Sequence, residues 1–224
     1  MTILALEFSS AQRSVAVLRG GTGNAVSTVS EVVETGIGGT RAFEMIHAAL
    51  REAKIEREQI EVIAVGLGPG SYTGIRVALS VAQGWQLASR PGGVKLLGIS
   101  SAECLAAQAQ AEKIPGRVNV VIDAQRNEFY LAAYEISATG RREIEPLRIL
   151  TPGDAAARAD AKTISIGPEV TRWFPQGRVV FPRAAMLGQL ASGRNDWSAG
   201  DRLEPIYLRE TNFVKAPPSR PIVP

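Results

Sequence analysis

The sequence predicts an α/β protein of two related lobes, each with a mixed β-sheet and flanking helices. Two observations carry this prediction. Apolar runs, turns and helical periodicities in residues 1–100 follow the order strand, strand, strand, helix, strand, helix, strand. A comparable series of strands and helices restarts after residue 100, and such alternation favours helices packed on a mixed sheet in each half.

Three short apolar runs open the chain and predict an antiparallel meander. The first two strands are Ile3–Leu6 and Ser14–Leu18, separated by the polar turn Ser9–Gln12. A glycine-rich turn, Gly20–Asn24, leads to the alternating segment Ala25–Val33. Short turns between consecutive strands require antiparallel pairing.

A helix is predicted over residues 42–53, because its apolar residues recur at helical spacing. The run Val62–Gly66 is then a buried strand, expected parallel to the first strand because a helix intervenes. The glycine-rich turn Gly68–Gly74 leads into a long helix, Thr73–Ser89, and Lys95–Ile99 follows as another strand.

The second half begins with a predicted helix, Ser101–Glu112, and continues with strands Val118–Ile122, Glu128–Tyr134 and Glu143–Leu150. A last short strand is predicted at Pro205–Leu208. We therefore divide the chain into an N-terminal lobe (residues 1–100), a smaller C-terminal lobe (101–200), and a return strand with an extended tail (201–224). The tail is proline-rich over residues 216–221.

Composition excludes several classes of protein. The 224 residues are 45% hydrophobic and 21% charged, with a net charge of +3; this weak, spread basicity is not typical of a dedicated nucleic-acid binder. The single cysteine, Cys104, cannot form an intramolecular disulfide and is expected to be a buried apolar side chain. The single histidine, His47, excludes a multi-histidine zinc site and is expected on a helix face.

The first apolar run ends at Glu7 without a preceding basic segment, so it does not resemble a signal peptide. No apolar run approaches the roughly 18 residues that a membrane span needs. We expect a cytoplasmic protein without membrane contact.

The helix Thr73–Ser89 is apolar nearly all round, so it should be buried on two sides. One stripe comprises Ile75, Ala78, Leu79, Ala82 and Trp85; the other comprises Gly74, Val77, Val81, Gly84 and Ala88. One stripe must meet the helix's own sheet. The other, made of small residues that allow close approach, meets either the helix at 42–53 or another protein.

Five segments, in order, resemble motifs of the bacterial TsaB (YeaZ) family. They are Ile3–Leu18, the glycine-rich segment Ala64–Arg76, the junction Gly98–Ser101, the charged segment Ile122–Tyr130, and Pro205–Arg209. The resemblance extends over most of the chain. Two stretches depart from the family pattern: Glu7-Phe8-Ser9 replaces aspartate-threonine-serine, and Gly39-Thr40-Arg41 replaces histidine-serine-glutamate.

The resemblance implies an actin-like (ASKHA, ribonuclease H-like) fold and a non-catalytic role in making tRNA threonylcarbamoyladenosine. The family's partners are a catalytic TsaD subunit and a TsaE ATPase, and tRNA is reached through the complex. When alone, the chain should form a homodimer. It should have no cofactor of its own, although ATP or ADP could lie at the interface with partners. A single histidine cannot supply the metal-binding histidine pair of the catalytic relative.

The site residues expected from this reading form two groups, with no catalytic residue and no metal ligand. The partner interface would comprise Gly74, Val77, Val81, Gly84, Ala88, Phe43 and His47. Phosphate or nucleotide contacts would come from Glu7, Ser9, Gly68, Gly70 and Ser71. The alternative for the second group is a structural turn in which Ser71 or Thr73 caps the helix, since the lysine of a Walker A loop is missing.

Other interpretations stay open at this point. A small-molecule kinase or ATPase of the same superfamily would turn over ATP alone. A peptidase would need His47 as its base. Asp123, Arg126 and Glu128 could act as an acid-base group, but charges of this kind usually fix a strand-turn-strand and face solvent.

Overall fold

The computed structural model describes residues 1–20, 26–36, 39–90, 92–158 and 163–209. Within these residues the chain forms two five-stranded sheets, one from each half. The turn predicted at Gly20–Asn24 falls largely outside the described residues, and the proline-rich tail at 216–221 falls wholly outside them.

The first sheet has the strand order β3-β2-β1-β4-β5. Its strands are β1 (Thr2–Glu7), β2 (Gln12–Gly20), β3 (Val26–Thr35), β4 (Val62–Gly66) and β5 (Lys95–Ile99). The first three pair antiparallel, and β4 is parallel to both β1 and β5. The predicted meander and the predicted parallel strand are both confirmed.

Helices cover both faces of this sheet. Helices α1 (Ala42–Ala53) and α2 (Tyr72–Ala88) share a core with Leu4 and Leu6 on one face. Helix α5 (Ala184–Ser192) packs with Ile3 and Ala5 on the other. Strand β1 is consequently apolar at consecutive positions, as a strand buried on both sides should be.

The second sheet has the strand order β10-β9-β6-β7-β8. Its strands are β6 (Gly116–Asp123), β7 (Phe129–Ile136), β8 (Arg141–Leu150), β9 (Ile164–Gly167) and β10 (Arg178–Val179). Helix α3 (Ser101–Ala111) packs on one face, and the short helix α4 (Pro152–Ala156) lies against β7 and β8. Short 3₁₀ helices lie at Arg57–Gln59, Val170–Arg172 and Gly200–Arg202.

Two predictions differ from the structure. Residues 205–208 do not form a strand: the Ile206 N–H donates to the Leu67 carbonyl (2.9 Å), but no ladder develops, and Pro205 has no N–H to contribute. Helix α5 lies within the predicted C-terminal lobe, yet it packs on the first sheet. Its apolar face fits there because Gly188 lies directly against Leu18.

No helix in the described part of the chain has both the length and the hydrophobicity that crossing a bilayer requires.

Candidate interaction groove and interlobe cleft

An open groove of about 740 Å³ runs between α1 and α2. Its floor and walls are mainly apolar, with charged side chains at one end. The lining residues are Phe43, Ile46, His47, Leu50, Arg51, Lys54, Ile55, Glu56, Arg57, Ser80, Val81, Gly84, Trp85 and Ala88. We call this opening, with its extension described next, the α1–α2 groove.

The groove continues towards the start of α2 as a shallower opening of about 470 Å³. Phe43, Ser80 and Val81 line both parts, and Tyr72, Arg76 and Val77 line only the second. Phe43 is 77% exposed, and Leu87 on α2 is 87% exposed. Phe43 lines both parts of the groove, and a large apolar side chain left this exposed beside an apolar groove is typical of an interaction site.

The two predicted stripes of α2 differ in how deeply they are buried. Ile75, Ala78, Leu79 and Ala82 are buried in the first core, as a sheet-facing stripe should be. On the other stripe Val77 and Val81 are half-buried, whereas Gly84 and Ala88 are exposed. A Cβ added at Gly84 would meet no atom within 4 Å. Helix α1 therefore leaves the Gly84 and Ala88 part of this stripe uncovered.

Gly74 was assigned to the outer stripe, and the structure places it elsewhere. It is buried, and a Cβ at this position would overlap the carbonyl oxygen of Phe8. The glycine lets the first turn of α2 lie directly on the backbone after β1. Helical spacing alone could not separate this role from an open surface, because Phe8 is distant in sequence.

The predicted groove residues on α1 are both present at its rim. Phe43 and His47 lie one turn apart and are exposed, while Met45, Ile46 and Ala49 face the core. His47 is thus on a helix face, as predicted. His47 also lines the apolar groove, and a residue of the proposed interface would have to lie there.

A second opening, of about 1270 Å³, separates the two lobes. We call it the interlobe cleft. One wall comes from the turns after β1 and β4 and from α2, and includes Ser9, Gly70, Ser71 and Arg76. The other comes from the second sheet and includes Asp123, Arg126, Glu169 and Arg172.

The glycine-rich turn forms part of the cleft wall, and its polar groups are hydrogen-bonded to other parts of the chain. The Ser71 N–H donates to the Ser9 carbonyl (2.6 Å), and Ser71 Oγ accepts from the Gly74 N–H (3.3 Å). Ser71 therefore caps α2, as the structural alternative predicted. Gly70 has a φ of +144°, and a Cβ there would overlap the Ser9 carbonyl oxygen. The Ser71 N–H that a phosphate cradle would use is already engaged.

Glu7 is fully buried behind this turn. Its Oε1 accepts from the Ser9 N–H (2.8 Å) and its Oε2 accepts from Ser101 Oγ (2.8 Å). Burial raises the pKa of the Glu7 carboxyl, and the hydrogen bonds from Ser9 and Ser101 oppose this rise. The carboxylate also occupies the space beside Gly66 where a side chain would stand.

The five predicted phosphate-contact residues are therefore divided by the structure. Ser9, Gly70 and Ser71 line the cleft. Glu7 and Gly68 are buried away from it, and the Gly68 carbonyl accepts from the Ser101 N–H (2.7 Å). In this arrangement Glu7 and Gly68 hold the start of α3 rather than face a ligand.

The charged segment between β6 and β7 is a tight turn. Asp123 Oδ1 accepts from the Gln125 N–H (2.7 Å), and Gln125, Arg126 and Asn127 all have positive φ. The Glu128 carboxylate pairs with Arg209 (2.7 Å). Asp123 thus fixes the turn, as the structural interpretation predicted, whereas the Glu128 carboxylate pairs with a residue outside the turn. Tyr130 and Tyr134 pack in the second core.

Sequence reasoning missed Glu169. It lines the cleft near Asp123, and its pKa is raised mainly by burial and further by the Asp123 carboxylate. Strand β9 ends two residues earlier and is parallel to β6, which ends at Asp123. Had β9 been predicted, the rule that parallel strands present their carboxyl ends at one edge would have found this pair.

The segment from residue 198 to 209 crosses the molecule from one lobe to the other, where the sequence predicted only a short return strand. The Ser198 N–H donates to Leu96 (2.9 Å), and Gly200 is held by Gln83 and Gln86 of α2. At its far end Arg209 donates to the Ala124 carbonyl (2.9 Å). We call residues 198–209 the strap, since it fastens the first lobe to the β6–β7 turn.

Cys104 is fully buried, and burial raises the pKa of its thiol well above the usual range. The prediction of a buried apolar side chain is confirmed. In the described ranges no three His, Cys, Asp or Glu side chains are grouped so as to hold a metal ion.

Comparison with known proteins agrees with this architecture. A protein-family model described as "TsaD: tRNA N6-adenosine threonylcarbamoyltransferase" matches residues 40–200. The chain is 26% identical to the tRNA threonylcarbamoyladenosine biosynthesis protein TsaB of Escherichia coli K12, covering 98% of this chain and 100% of that protein. It is 29% identical to TsaB of Bacillus subtilis, covering 60% of this chain and 56% of that protein.

Solved structures give the same picture. YeaZ from Pseudomonas aeruginosa superposes with a TM-score of 0.76 at 29% identity, covering 92% of this chain and 99% of that one. Another Pseudomonas aeruginosa structure, described as similar to peptidase YEAZ, has a TM-score of 0.76 at 28% identity, covering 93% and 99%.

The two mixed sheets with flanking helices, joined across a cleft, define a two-lobed protein of the actin-like ASKHA class. The matched family model covers more than half of the chain, and the chain belongs to that family as a TsaB (YeaZ) member. The resemblance inferred from the five sequence motifs is confirmed. The alternative of a small-molecule kinase or ATPase is not favoured.

Proposed function

We propose that this chain is a partner subunit in tRNA threonylcarbamoyladenosine synthesis, and that it binds and activates a TsaD-like catalytic subunit through the α1–α2 groove. The observation that carries the proposal is the open outer stripe of α2. Val81, Gly84 and Ala88 line a mainly apolar groove that no part of the described chain covers. The TsaB relatives are named for biosynthesis of this modified nucleoside, which supplies the pathway.

The groove has the composition of an interaction hot spot. Phe43 and Trp85 provide aromatic surface on opposite walls, and Gly84 leaves room for a partner's backbone or side chain between them. Fully burying a large apolar side chain contributes roughly 1.5–3 kcal/mol. A few such residues at the centre of an interface can supply most of the binding free energy.

Activation follows from selective binding. If the catalytic subunit exchanges between an active and an inactive conformation, a partner that binds the active one more tightly shifts the population towards it. Under this proposal no residue of the present chain acts on substrate, and a TsaE-like ATPase and tRNA are reached through the complex. Pairing of two copies, expected when the chain is alone, would use the same groove.

We also propose that any ATP or ADP at the interface with partners contacts the cleft through Ser9, Gly70 and Ser71. Glu7 and Gly68 are left out of this proposal because they are buried. The engaged Ser71 N–H does not fit an enclosed phosphate cradle. We therefore expect the isolated chain to bind ATP or ADP at best weakly in calorimetric titration, and binding at micromolar Kd would contradict this.

The main experiment places a charge in the groove. Val81→Glu should weaken binding of the purified TsaD-like subunit from the same organism by at least about 100-fold, since a carboxylate would be desolvated against apolar surface. Binding is measured by calorimetry, and modified nucleoside is quantified in the reconstituted reaction. Both readouts should fall together.

Val179→Glu is the matched control, because Val179 is an exposed valine (45%) on β10, outside the groove. Val81 also packs partly on the first core, so Val81→Glu could be poorly folded. Ala88→Glu, at an exposed groove position, then provides the test. Folded Val81→Glu and Ala88→Glu proteins that bind like the wild type would refute the proposal.

A further inference from the structure

We propose that the α1–α2 groove is charged so as to bind a partner surface carrying carboxylates beside an apolar stripe in preference to a second copy of this chain. This inference rests on the proposed function, and it adds the chemistry of the partner.

Cations outnumber anions around the described groove. Its deeper part is lined by Arg51, Lys54 and Arg57 against a single carboxylate, Glu56. Its shallower part has one charged residue, Arg76. Positive charge therefore lies at both ends of the apolar surface. The chain as a whole is only weakly basic, at +3, so this concentration is local.

Internal pairing neutralises only part of this charge. Arg57 pairs with Glu58 (2.9 Å), and Arg76 donates to the hydroxyl of Tyr72 (2.8 Å), which is uncharged. The side chains of Arg51 and Lys54 form no ion pair or hydrogen bond with another described residue, and both are exposed. Two cations at the groove's edge are thus left for an incoming surface.

The single carboxylate in the groove is already engaged. The Glu56 side chain accepts from the backbone of Gln59, and the Gln59 side chain accepts from the Glu56 N–H (2.8 Å). This reciprocal capping box holds the 3₁₀ helix that follows α1. Glu56 is thus the only carboxylate among the described lining residues that a second copy could offer to these cations.

Because of the excess of positive charge, two-fold pairing of this chain is less favourable than binding of an acidic partner. Two copies of one chain paired around a two-fold axis use the same surface on both sides. With cations at both ends of the groove, such a pair places positive charge near positive charge in either helix orientation. A different subunit with acidic residues beside its apolar stripe would meet complementary charge, which increases both specificity and association rate.

Arg51 could also stabilise the free chain. It lies in the last turn of α1, where a positive charge interacts favourably with the helix dipole. Such a role would affect the unfolding of the free chain, and it would not affect partner binding. Unfolding and binding are therefore measured on the same variants.

The test is the double variant Arg51→Glu with Lys54→Glu. At low salt we expect the dissociation constant for the TsaD-like subunit to rise about 10-fold or more, and the loss to shrink as salt is raised and charges are screened. Self-association, followed by sedimentation, should become tighter because each copy then carries carboxylates facing the remaining cations. The wild-type chain should prefer the heterologous partner when both are present.

The matched control is Arg142→Glu with Arg148→Glu. These are exposed arginines on β8, outside the groove, and they change the net charge by the same amount. If both double variants bind alike while Val81→Glu abolishes binding, the charge inference fails and the proposed function stands. If Val81→Glu and Ala88→Glu also bind normally, the proposed function fails. If the groove double variant self-associates no more tightly than the wild type, the claim that the groove charge weakens pairing of two copies is refuted.

Discussion

The α1–α2 groove and the interlobe cleft differ in how many of their side chains and backbone groups already have partners within the chain. In the cleft, Ser71 is bonded to Ser9, and Arg209 is bonded to Ala124 and Glu128. In the groove, Phe43 and Ala88 remain exposed, and Arg51 has no ion-pair partner among the described residues. Polar groups that line the cleft are thus already paired within the chain, whereas the groove exposes apolar and charged side chains that the described residues do not contact.

Binding energy is therefore more readily available in the groove than at the glycine-rich turn. Internal hydrogen bonds must be broken before the glycine-rich turn can meet a ligand, and each such bond is worth roughly 0.5–1.5 kcal/mol. Apolar surface in the groove has no such cost, because only water must leave it. The following predictions test the comparison in order of decreasing effect.

The largest effect on stability is expected from Gly74→Ala. The added methyl group would overlap the Phe8 carbonyl oxygen, and backbone cannot move aside as a flexible side chain can. We expect a loss of about 3 kcal/mol in the free energy of unfolding, measured by urea denaturation. An unchanged midpoint would show that the first turn of α2 is not held against β1 as described.

Ser101→Ala should have the next largest effect. It removes the hydroxyl that donates to Glu7 Oε2 and leaves that buried carboxylate oxygen without this partner. The expected loss is about 2 kcal/mol. Ser137→Ala, at an exposed turn, serves as the control; equal losses in the two variants would contradict a structural role for Glu7.

The pH dependence of stability should carry the signature of Glu7. Its folded pKa is raised above the ordinary 4.5, so the folded state holds the proton more tightly than the unfolded state. That contribution is complete below the unfolded pKa and is lost as pH rises through the folded pKa. Glu7→Gln should flatten this fall, seen by comparing unfolding curves from pH 4 upward. The same slope in both proteins would contradict the assignment.

Arg209→Ala should weaken the far end of the strap. It removes the hydrogen bond to the Ala124 carbonyl and the pair with Glu128, and solvent already screens part of this contact. We expect a loss of about 1 kcal/mol and faster amide exchange in the turn after β6. If exchange there does not change, the strap does not hold the lobes together.

Gly84→Ala should have the smallest effect and the opposite sign. No atom lies within 4 Å of the added Cβ, and alanine is favoured over glycine in a helix by up to about 1 kcal/mol. The unfolding midpoint should rise slightly. Together with Gly74→Ala, this pair separates the covered and open sides of one helix; destabilisation at both positions would mean that the groove is closed.

Much of the first lobe could be predicted from sequence because its signals are local. The helix at 42–53 was predicted with the bounds that the structure has, and β4 was correctly expected to be parallel to β1. The cap at Ser71 followed from residue type and position. The assignment of Gly74 to the interface failed, since what it contacts is the Phe8 backbone.

Elements near the end of the chain were harder to predict. Pro205–Leu208 looks like a strand by composition, yet it makes one hydrogen bond to Leu67 instead of a ladder. The residues that form α5 were placed with the second lobe by their position in the chain, and this helix covers the first sheet. Periodicity reports which residues share a face, and it carries no information about which distant element will cover that face.

The sequence alone determined the strands and helices of the first half, helix α3 with strands β6 to β8 of the second half, the two-sided apolar character of α2, and the family. Tertiary structure decided which side of α2 stays open, which glycine is forced by packing, and which polar groups are already paired. The physical reason is range: secondary structure follows from neighbours a few residues apart, whereas burial and pairing depend on contacts between segments that only folding brings together.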